Sequence, residues 1–323
     1  MTVLHPNELK NDARRSLDLA PESGRLVLIF SGVAAAASLL VALLNFLLST
    51  GIAGTGGLSG MGLRGILSTV QTMLELVLSL ALPFWSMGYI WSVMNLSRRQ
   101  DAGVSSLFEG FRRVGPVLRL LLVRVAVYLL LGFVSIQVGS SILTLTPLGA
   151  DFLELTATMD PNLLMNPDEA TALLMVDAMI PIFIGCGVLF AIGAVIVAYY
   201  TRFAQYFLLD DPRGSAIRAM LCSVRAMRGN VKNLLRLDLS WWWYYLLELL
   251  TTAVCFGDLW LPLLGFRLPF SEDAAYFIFY ILGLGLQVLL HLRLRNTLEC
   301  TYALAYDGLK PTQMRGDVYR GDT

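Results

Sequence analysis

Six long apolar segments limit what this chain can fold into more than any other feature of its sequence. Each is close to the length of about 20 helical residues that crosses a hydrocarbon layer roughly 30 Å thick, and each is bounded by charged or turn residues. The segments are residues 26–48, 70–96, 117–145, 179–209, 239–256 with an extension that can reach 266, and 274–292. The sequence therefore predicts an all-α integral membrane protein with about six transmembrane helices.

The composition of the chain agrees with a membrane protein and not with a soluble one. Of its 323 residues, 56% are hydrophobic and 15% are charged, whereas a soluble surface needs about 25–35% charged residues. The 24 basic and 24 acidic residues cancel, so no overall positive field attracts nucleic acid. The predicted partners are membrane lipids, anionic ones included, with a membrane protein or a second copy of the chain as alternatives.

The distribution of positive charge predicts the orientation of the helices, because Lys and Arg near helix ends stay on the cytoplasmic side. Residues 146–178 contain no Lys or Arg. The connections after the second and fourth segments contain Arg98, Arg99, Arg112 and Arg113, and Arg213, Arg218, Arg225, Arg228, Lys232 and Arg236. We therefore expect both termini to be cytoplasmic, with an N-terminal segment of residues 1–25, a membrane domain of residues 26–309 and a C-terminal tail of residues 310–323.

The same order of features follows the second, fourth and sixth segments. An aromatic-rich helix end leads to a turn that contains Asp and Gly, at residues 101–103, 211–214 and 306–308. Amphipathic stretches follow the first two turns. The pattern indicates three consecutive two-helix hairpins in parallel orientation, with an amphipathic interfacial helix in each of the two cytoplasmic connections.

The two amphipathic stretches have apolar arcs about 100° wide. The arcs contain Val104, Leu107, Phe108 and Phe111 in the first connection, and Ile217, Met220, Val224, Met227 and Val231 in the second. Beside the second arc, a basic stripe is suited to anionic lipid headgroups and consists of Arg218, Arg225, Arg228 and Lys232. The alternative is that these charges only set the orientation of the helices.

Few polar residues lie within the apolar segments, and such residues often mark a pathway or a contact between helices. Glu248 follows Asp238 by ten residues, which places it about 15 Å along the fifth helix and near the middle of the bilayer. By depth, Gln137 and Gln287 are its expected neutral partners. A second group at the cytoplasmic helix ends predicts a polar vestibule, with snorkelling or local ion pairing as the alternative: Arg202, Gln205, His291, Arg293, Arg295, Asn296 and Glu299.

Small residues four positions apart on the fourth segment indicate close helix packing. The pairs are Gly187 with Ala191 and Ala194 with Ala198. We expect a neighbouring helix to approach the fourth helix at these positions.

The sequence contains no nucleotide-binding loop, HExxH motif or cofactor-binding glycine fingerprint, and its four cysteines lack CxxC spacing. No catalytic, cofactor-binding or metal-binding residue is therefore predicted. Residues 57–60 resemble the Gly-x-Ser-Gly motif of rhomboid proteases, but the expected topology separates Ser59 from His291 across the membrane. An intramembrane enzyme is therefore a weaker hypothesis than either a membrane scaffold or a transporter.

Three short motifs carry a resemblance to a known family. They are Met-Arg-Gly-Asn at residues 227–230, Leu-Asp-Leu-Ser-Trp at 237–241 and Gly-Asp-Leu-Trp-Leu-Pro at 257–262. Residues 200–262 thereby resemble the bacterial membrane proteins called domain of unknown function 975, which are related to the glycerophosphodiester phosphodiesterase membrane domain. The resemblance implies a six-helix fold in the bacterial cell membrane and supplies no activity, because no phosphodiesterase active site is present.

These observations favour a non-enzymatic integral membrane protein that organises lipid or a partner protein at the cytoplasmic membrane face. The alternative function is a transporter or channel component that uses the polar vestibule and Glu248. A transporter needs polar residues around a cavity, whereas a scaffold has a dry interior.

Overall fold

A computed structural model describes residues 5–50, 58–158, 169–211, 214–266, 269 and 271–310, and helix is the only regular secondary structure among them. A 3₁₀ turn at Val104–Phe108 and a π-helical turn at His291–Arg295 interrupt the α-helices. The α-helices are α1 (Pro6–Asp18), α2 (Ser23–Thr50), α3 (Leu58–Ser97), α4 (Glu109–Arg112), α5 (Val114–Leu143), α6 (Pro147–Thr158), α7 (Glu169–Thr201), α8 (Ala204–Asp210), α9 (Ala216–Met227), α10 (Val231–Ser240), α11 (Trp242–Cys255), α12 (Gly257–Leu263), α13 (Glu272–Leu290) and α14 (Asn296–Leu309).

Five stretches of the described helices are long and apolar enough to cross a membrane: Ser23–Leu48, Gly65–Ser97, Val114–Leu143, Thr171–Asp210 and Ala274–Leu309. They correspond to the first four and the sixth of the predicted segments. The predicted fifth span is instead a bent pair, α11 and α12, with an angle of 81° between the two helices. The predicted all-α fold with several apolar helices of membrane-spanning length is confirmed for the described residues, with five such helices, or six if the bent pair counts as one span.

The bend between α11 and α12 lies next to a close contact of Gly257 with α13. A Cβ atom added to Gly257 would lie 2.7 Å from the ring of Phe279 on α13, so only glycine fits at this contact. The backbone of the chain can therefore approach α13 closely at the point where it changes direction.

The chain divides into two compact units. The first unit consists of Met1–Val117, Leu209–Pro212 and Gly229–Thr323, and the second consists of Leu118–Leu208 and Arg213–Arg228. The N-terminal segment contains α1, a helix that the sequence analysis did not predict. Residues 311–323 of the predicted C-terminal tail lie outside the described part of the chain.

In the first unit, α2 packs against α3 and α13, while α14 packs against α1 and α3. The centre of this packing is aromatic, because the rings of Phe30 on α2 and Tyr89 on α3 stack with centroids 4.1 Å apart. The buried residues around them are Ala13, Leu26, Val27, Trp85, Val93, Leu96, Ala102, Leu107 and Cys300.

Two glycines allow α3 to pack closely against the segment that follows it. A Cβ atom at Gly88 would overlap the backbone carbonyl of Leu107, and one at Gly110 would overlap the carbonyl of Phe84. The two backbones can touch only because both positions are glycine. The predicted interfacial helix of this connection is therefore a 3₁₀ turn and a short helix packed on α3, with Leu107 fully buried and Phe108 half exposed.

In the second unit, α5 and α7 meet through glycines, but not through the pair that the sequence indicated. Additional Cβ atoms at Gly139 and Gly193 would lie 2.9 Å from Cys186 Sγ and 2.7 Å from Leu131, respectively. Gly187 has nothing within 4 Å of the corresponding position. The prediction for Gly187 was wrong, because spacing alone gives a helix face but not the direction in which that face points.

The second predicted interfacial helix is two helices. Gly229 has a φ of 81°, a left-handed conformation that ends α9 before α10 begins at Val231. Lys232 consequently lies on α10 in the first unit, whereas Arg218, Arg225 and Arg228 belong to the second unit. The basic stripe is therefore divided between two helices.

Candidate functional site

The π-helical turn between α13 and α14 brings two of the predicted vestibule residues into the interior of the first unit. His291 is buried and Arg295 is partly buried, one at each end of the turn. A π-helical turn is less stable than regular α-helix and is often found at functional sites. This turn therefore marks a candidate functional site.

The imidazole of His291 is surrounded by three polar side chains. Ser31 Oγ lies 3.4 Å from Nδ1, and Glu248 Oε1 lies 3.9 Å from Nε2. Arg295 Nη1 lies 3.2 Å from the same Nε2 atom. Glu248 thus has a histidine as its neighbour, a partner that the sequence analysis did not predict.

The guanidinium of Arg295 is held between helices by aromatic rings. Its central carbon lies 4.8 Å from the ring centroid of Phe30 and 5.8 Å from that of Tyr89. The Tyr89 hydroxyl in turn donates a hydrogen bond to Asn296 Oδ1 at 2.6 Å. Arg295 Nε is buried and has no hydrogen-bond partner among the described residues.

A cavity of about 270 Å³ lies beside the π-helical turn, between α2, α3 and α13. Its walls combine small, apolar and polar side chains, and Gln287, one of the two predicted neighbours of Glu248, is among them. The lining residues are Phe30, Ser31, Ala34, Ala35, Ser38, Leu82, Trp85, Ser86, Leu284, Gln287, His291 and Arg295. Gln137, the other predicted neighbour, belongs to the second unit.

The remaining predicted vestibule residues are dispersed. Arg293 is exposed and Glu299 is partly buried, while Asn296 donates to the backbone carbonyl of Ser23 at 2.6 Å. Arg202 and Gln205 line a separate cavity of about 390 Å³ in the second unit, together with Arg124. The predicted vestibule residues therefore do not share one space: His291 and Arg295 line one cavity, and Arg202 and Gln205 line another.

Arg124 is a polar residue of the second unit that the sequence analysis did not identify. Its Nη2 donates to the carbonyl of Thr201 at 3.2 Å, and its Nε is buried without a hydrogen-bond partner in the described residues. Arg124 and Arg119 are the two arginines within the third apolar segment, and their position was a visible signal because charged residues there are costly.

In space, His291 lies between Ser31 and Glu248, as the base lies between the nucleophile and the acid of a catalytic triad. The geometry of the three residues does not favour nucleophilic catalysis. The distances of 3.4 Å from Ser31 to His291 and 3.9 Å from His291 to Glu248 exceed the roughly 2.6–3.2 Å of the hydrogen bonds that activate a nucleophile. Ser31 is 2% exposed and lies within α2, where backbone N–H groups are used by the helix itself. The side chain of Ser59 lies outside the described part of the chain.

A second buried polar cluster ties helix ends together in the first unit. Arg98, after α3, donates to Asp307 on α14 from Nε at 3.0 Å and from Nη2 at 2.6 Å. Burial alone would lower the pKa of Arg98, but hydrogen bonds to Asp307 and Asp210 raise this pKa above its usual range. Lys310 Nζ also donates to Asp210, at 2.9 Å. The cluster lies at the helix ends marked by the three repeated turns, but no pairing among them was predicted.

Helix α9 has one buried face and one exposed face. Its buried residues contact its own unit, where Ser223 Oγ donates to the carbonyl of Tyr200 at 2.8 Å. Met220 and Met227, expected on the apolar membrane face, are among the buried residues, so that expectation was wrong for these two residues. The exposed residues are Ile217, Arg218, Leu221 and Arg225, followed by Arg228.

Comparison of the chain with known protein families, with curated proteins and with solved structures found no match. The resemblance of residues 200–262 to domain of unknown function 975 therefore stays a prediction.

Proposed function

We propose that this chain is a non-enzymatic, multi-pass protein of the bacterial cell membrane that organises anionic lipid at the cytoplasmic face. The exposed arc of α9 is the observation that supports the proposal best. At 100° per residue, Ile217, Leu221, Arg225 and Arg218 fall within an arc of about 100°. The apolar pair lies at one side of this arc and the arginines at the other.

This arrangement is suited to the boundary between acyl chains and headgroups. Ile217 and Leu221 are 60% and 52% exposed, so both side chains are available to enter the apolar layer. Each nearby arginine contributes about 1 kcal/mol of attraction to an anionic surface. Lys232 on α10 adds a further positive charge in the first unit. Both termini are cytoplasmic in this proposal, on the same side as α9.

The proposal is tested by measuring how much phosphatidylglycerol the purified full-length protein retains in a neutral detergent, using native mass spectrometry. The triple variant Arg218→Gln, Arg225→Gln, Arg228→Gln should retain fewer lipids than the wild type, and added salt should reduce retention by the wild type. A matched control removes the same charge elsewhere, at Arg14, Arg15 and Arg236, which are also exposed. Equal lipid loss from both triple variants would contradict a specific role for α9. If lipid retention is unchanged and a copurifying protein is lost instead, the surface binds a partner protein.

The cavity beside His291 favours a second candidate function, a transporter in which Glu248 takes part. The 3.9 Å approach of Glu248 to His291 couples an acid to a base at the edge of a cavity. Glu248→Gln should then leave a folded protein that has lost its cellular phenotype. If Glu248 has a structural role only, the same variant should keep both its thermal stability and that phenotype.

A further inference from the structure

We propose that the cavity between α2, α3 and the π-helical turn is a binding site for one phosphate group. The phosphate can belong to a soluble phosphate ester or to a lipid headgroup, because the chemistry that recognises it is the same. This site is separate from the exposed arc of α9, so the inference does not depend on the proposed lipid interaction.

The charge of the cavity walls selects an anion. Arg295 and His291 are the charged or titratable residues among the lining side chains of the described chain, and no carboxylate lies among them. Glu248 approaches His291 from its Nε2 side, whereas Ser31, a lining residue, lies at the Nδ1 side. Glu248 is not among the lining residues, so no carboxylate competes with a bound anion inside the cavity.

The guanidinium of Arg295 is held in place and has an unused donor. The contacts with Phe30 and Tyr89 fix its plane, so little further ordering is needed when a ligand binds. No carboxylate oxygen of the described residues lies within 4 Å of the guanidinium, and Nε is buried without a hydrogen-bond partner. Arg295 nevertheless lines the cavity, and a phosphate oxygen there is a suitable acceptor for the terminal N–H groups of the guanidinium, because arginine and phosphate can form two parallel hydrogen bonds.

The other lining groups favour phosphate over a smaller anion. Ser86 and Gln287 line the same cavity and carry a hydroxyl and an amide donor, whereas the hydroxyls of Ser31 and Ser38 already bond His291 and Tyr280. A phosphate group has three terminal oxygens for these donors, whereas a carboxylate has two. The volume of about 270 Å³ is near the lower end of ligand pockets, which admits a phosphate with a small organic group and is too small for a nucleotide.

The experiment measures the thermal unfolding of the full-length protein in a maltoside detergent, which contains no phosphate. Inorganic phosphate is the soluble probe and dioctanoyl phosphatidylglycerol is the lipid probe, each compared with chloride at equal ionic strength. At a concentration tenfold above Kd, we expect the binding probe to raise Tm by about 3 °C. Arg295→Gln should abolish the shift. Arg293→Gln, an exposed arginine in the same π-helical turn, should keep it.

A second variant distinguishes a loss of phosphate binding from a misfolding of Arg295→Gln. Arg295→Lys retains the positive charge but not the planar fork, so its Kd for the probe should be about tenfold higher. A shift with inorganic phosphate assigns the site to soluble phosphate compounds, and a shift with the lipid alone assigns it to headgroups. No shift with either probe, or an equal shift in Arg295→Lys and the wild type, would overturn the proposal.

Discussion

Arg98 and Asp210 form a two-pronged ion pair in which Nη1 donates to Oδ1 at 2.6 Å and Nη2 donates to Oδ2 at 3.0 Å. Asp210 is nearly buried and also accepts a hydrogen bond from the Tyr306 hydroxyl at 2.8 Å. Together with the contacts to Asp307, this arrangement joins the C-terminal ends of α3, α8 and α14. One guanidinium therefore connects the ends of three of the apolar helical stretches.

Replacing Arg98 by lysine should destabilise the first unit although the charge is conserved. An ammonium group cannot span two carboxylates in fork geometry, so at least one charge-assisted hydrogen bond to Asp210 or Asp307 is lost. We expect a loss of about 2 kcal/mol in the free energy of unfolding, measured by denaturation in mixed micelles. Arg112→Lys, at an exposed ion pair, should change it by less than about 0.5 kcal/mol. Equal effects of the two substitutions would show that the fork is unimportant.

Gly88→Ala should prevent the normal packing of α3 on the segment after it. The new Cβ atom would overlap the backbone carbonyl of Leu107, which cannot move as a side chain could. We expect a loss of about 3 kcal/mol or more, seen as aggregation or a large fall in Tm. Gly65→Ala on the same helix meets nothing within 4 Å and should stabilise the protein slightly. A normal Tm for Gly88→Ala would contradict this close contact.

Arg99→Gly should increase stability. Arg99 has a φ of 58°, a left-handed conformation at the end of α3 where Gln100 N–H donates to the carbonyl of Asn95 at 2.9 Å. Relief of this conformation should raise the free energy of unfolding by about 1 kcal/mol. Arg99→Ala, which removes the side chain but keeps the unfavourable φ, is the control and should give no gain. A gain of the same size in both variants would assign the effect to the side chain.

The proposed orientation predicts opposite accessibility of two exposed residues. In a variant without the four native cysteines, a cysteine at Glu154 on α6 should react with an impermeant maleimide from outside the cell. A cysteine at Arg225 on α9 should react only after the membrane is opened. Reaction of both positions from the same side would exclude the arrangement in which the termini are cytoplasmic.

The sequence predicted the apolar spans well because their length and hydrophobicity are local properties. Five of the six segments coincide with helical stretches long enough to cross a membrane, and the exception is the bent pair around Phe256. Beside that bend Gly257 contacts Phe279 on α13, and no pattern within the fifth segment could reveal this contact because Phe279 lies in the sixth segment.

The candidate site was predictable in its residue types but not in its contacts. His291, Arg295 and Glu248 stood out because polar groups are rare in apolar segments. Ser31 did not, because a lone serine in an apolar helix commonly bonds its own backbone. The approach of α2 to α13 brings Ser31 to His291, and this is a property of the tertiary fold.

The π-helical turn also controls how the final helix is aligned. A π turn accommodates one residue more than a regular α-helix over the same length, so every residue after Arg295 is rotated by about 100° relative to an uninterrupted helix. Regular α winding of the turn without a deletion would move Asn296 and Asp307 to other sides of α14, whereas deletion of one residue together with regular winding would leave them where they are. The chain should therefore tolerate many substitutions at exposed Arg293, and insertion of a further residue between His291 and Arg295 should misalign α14 more than deletion of one residue there.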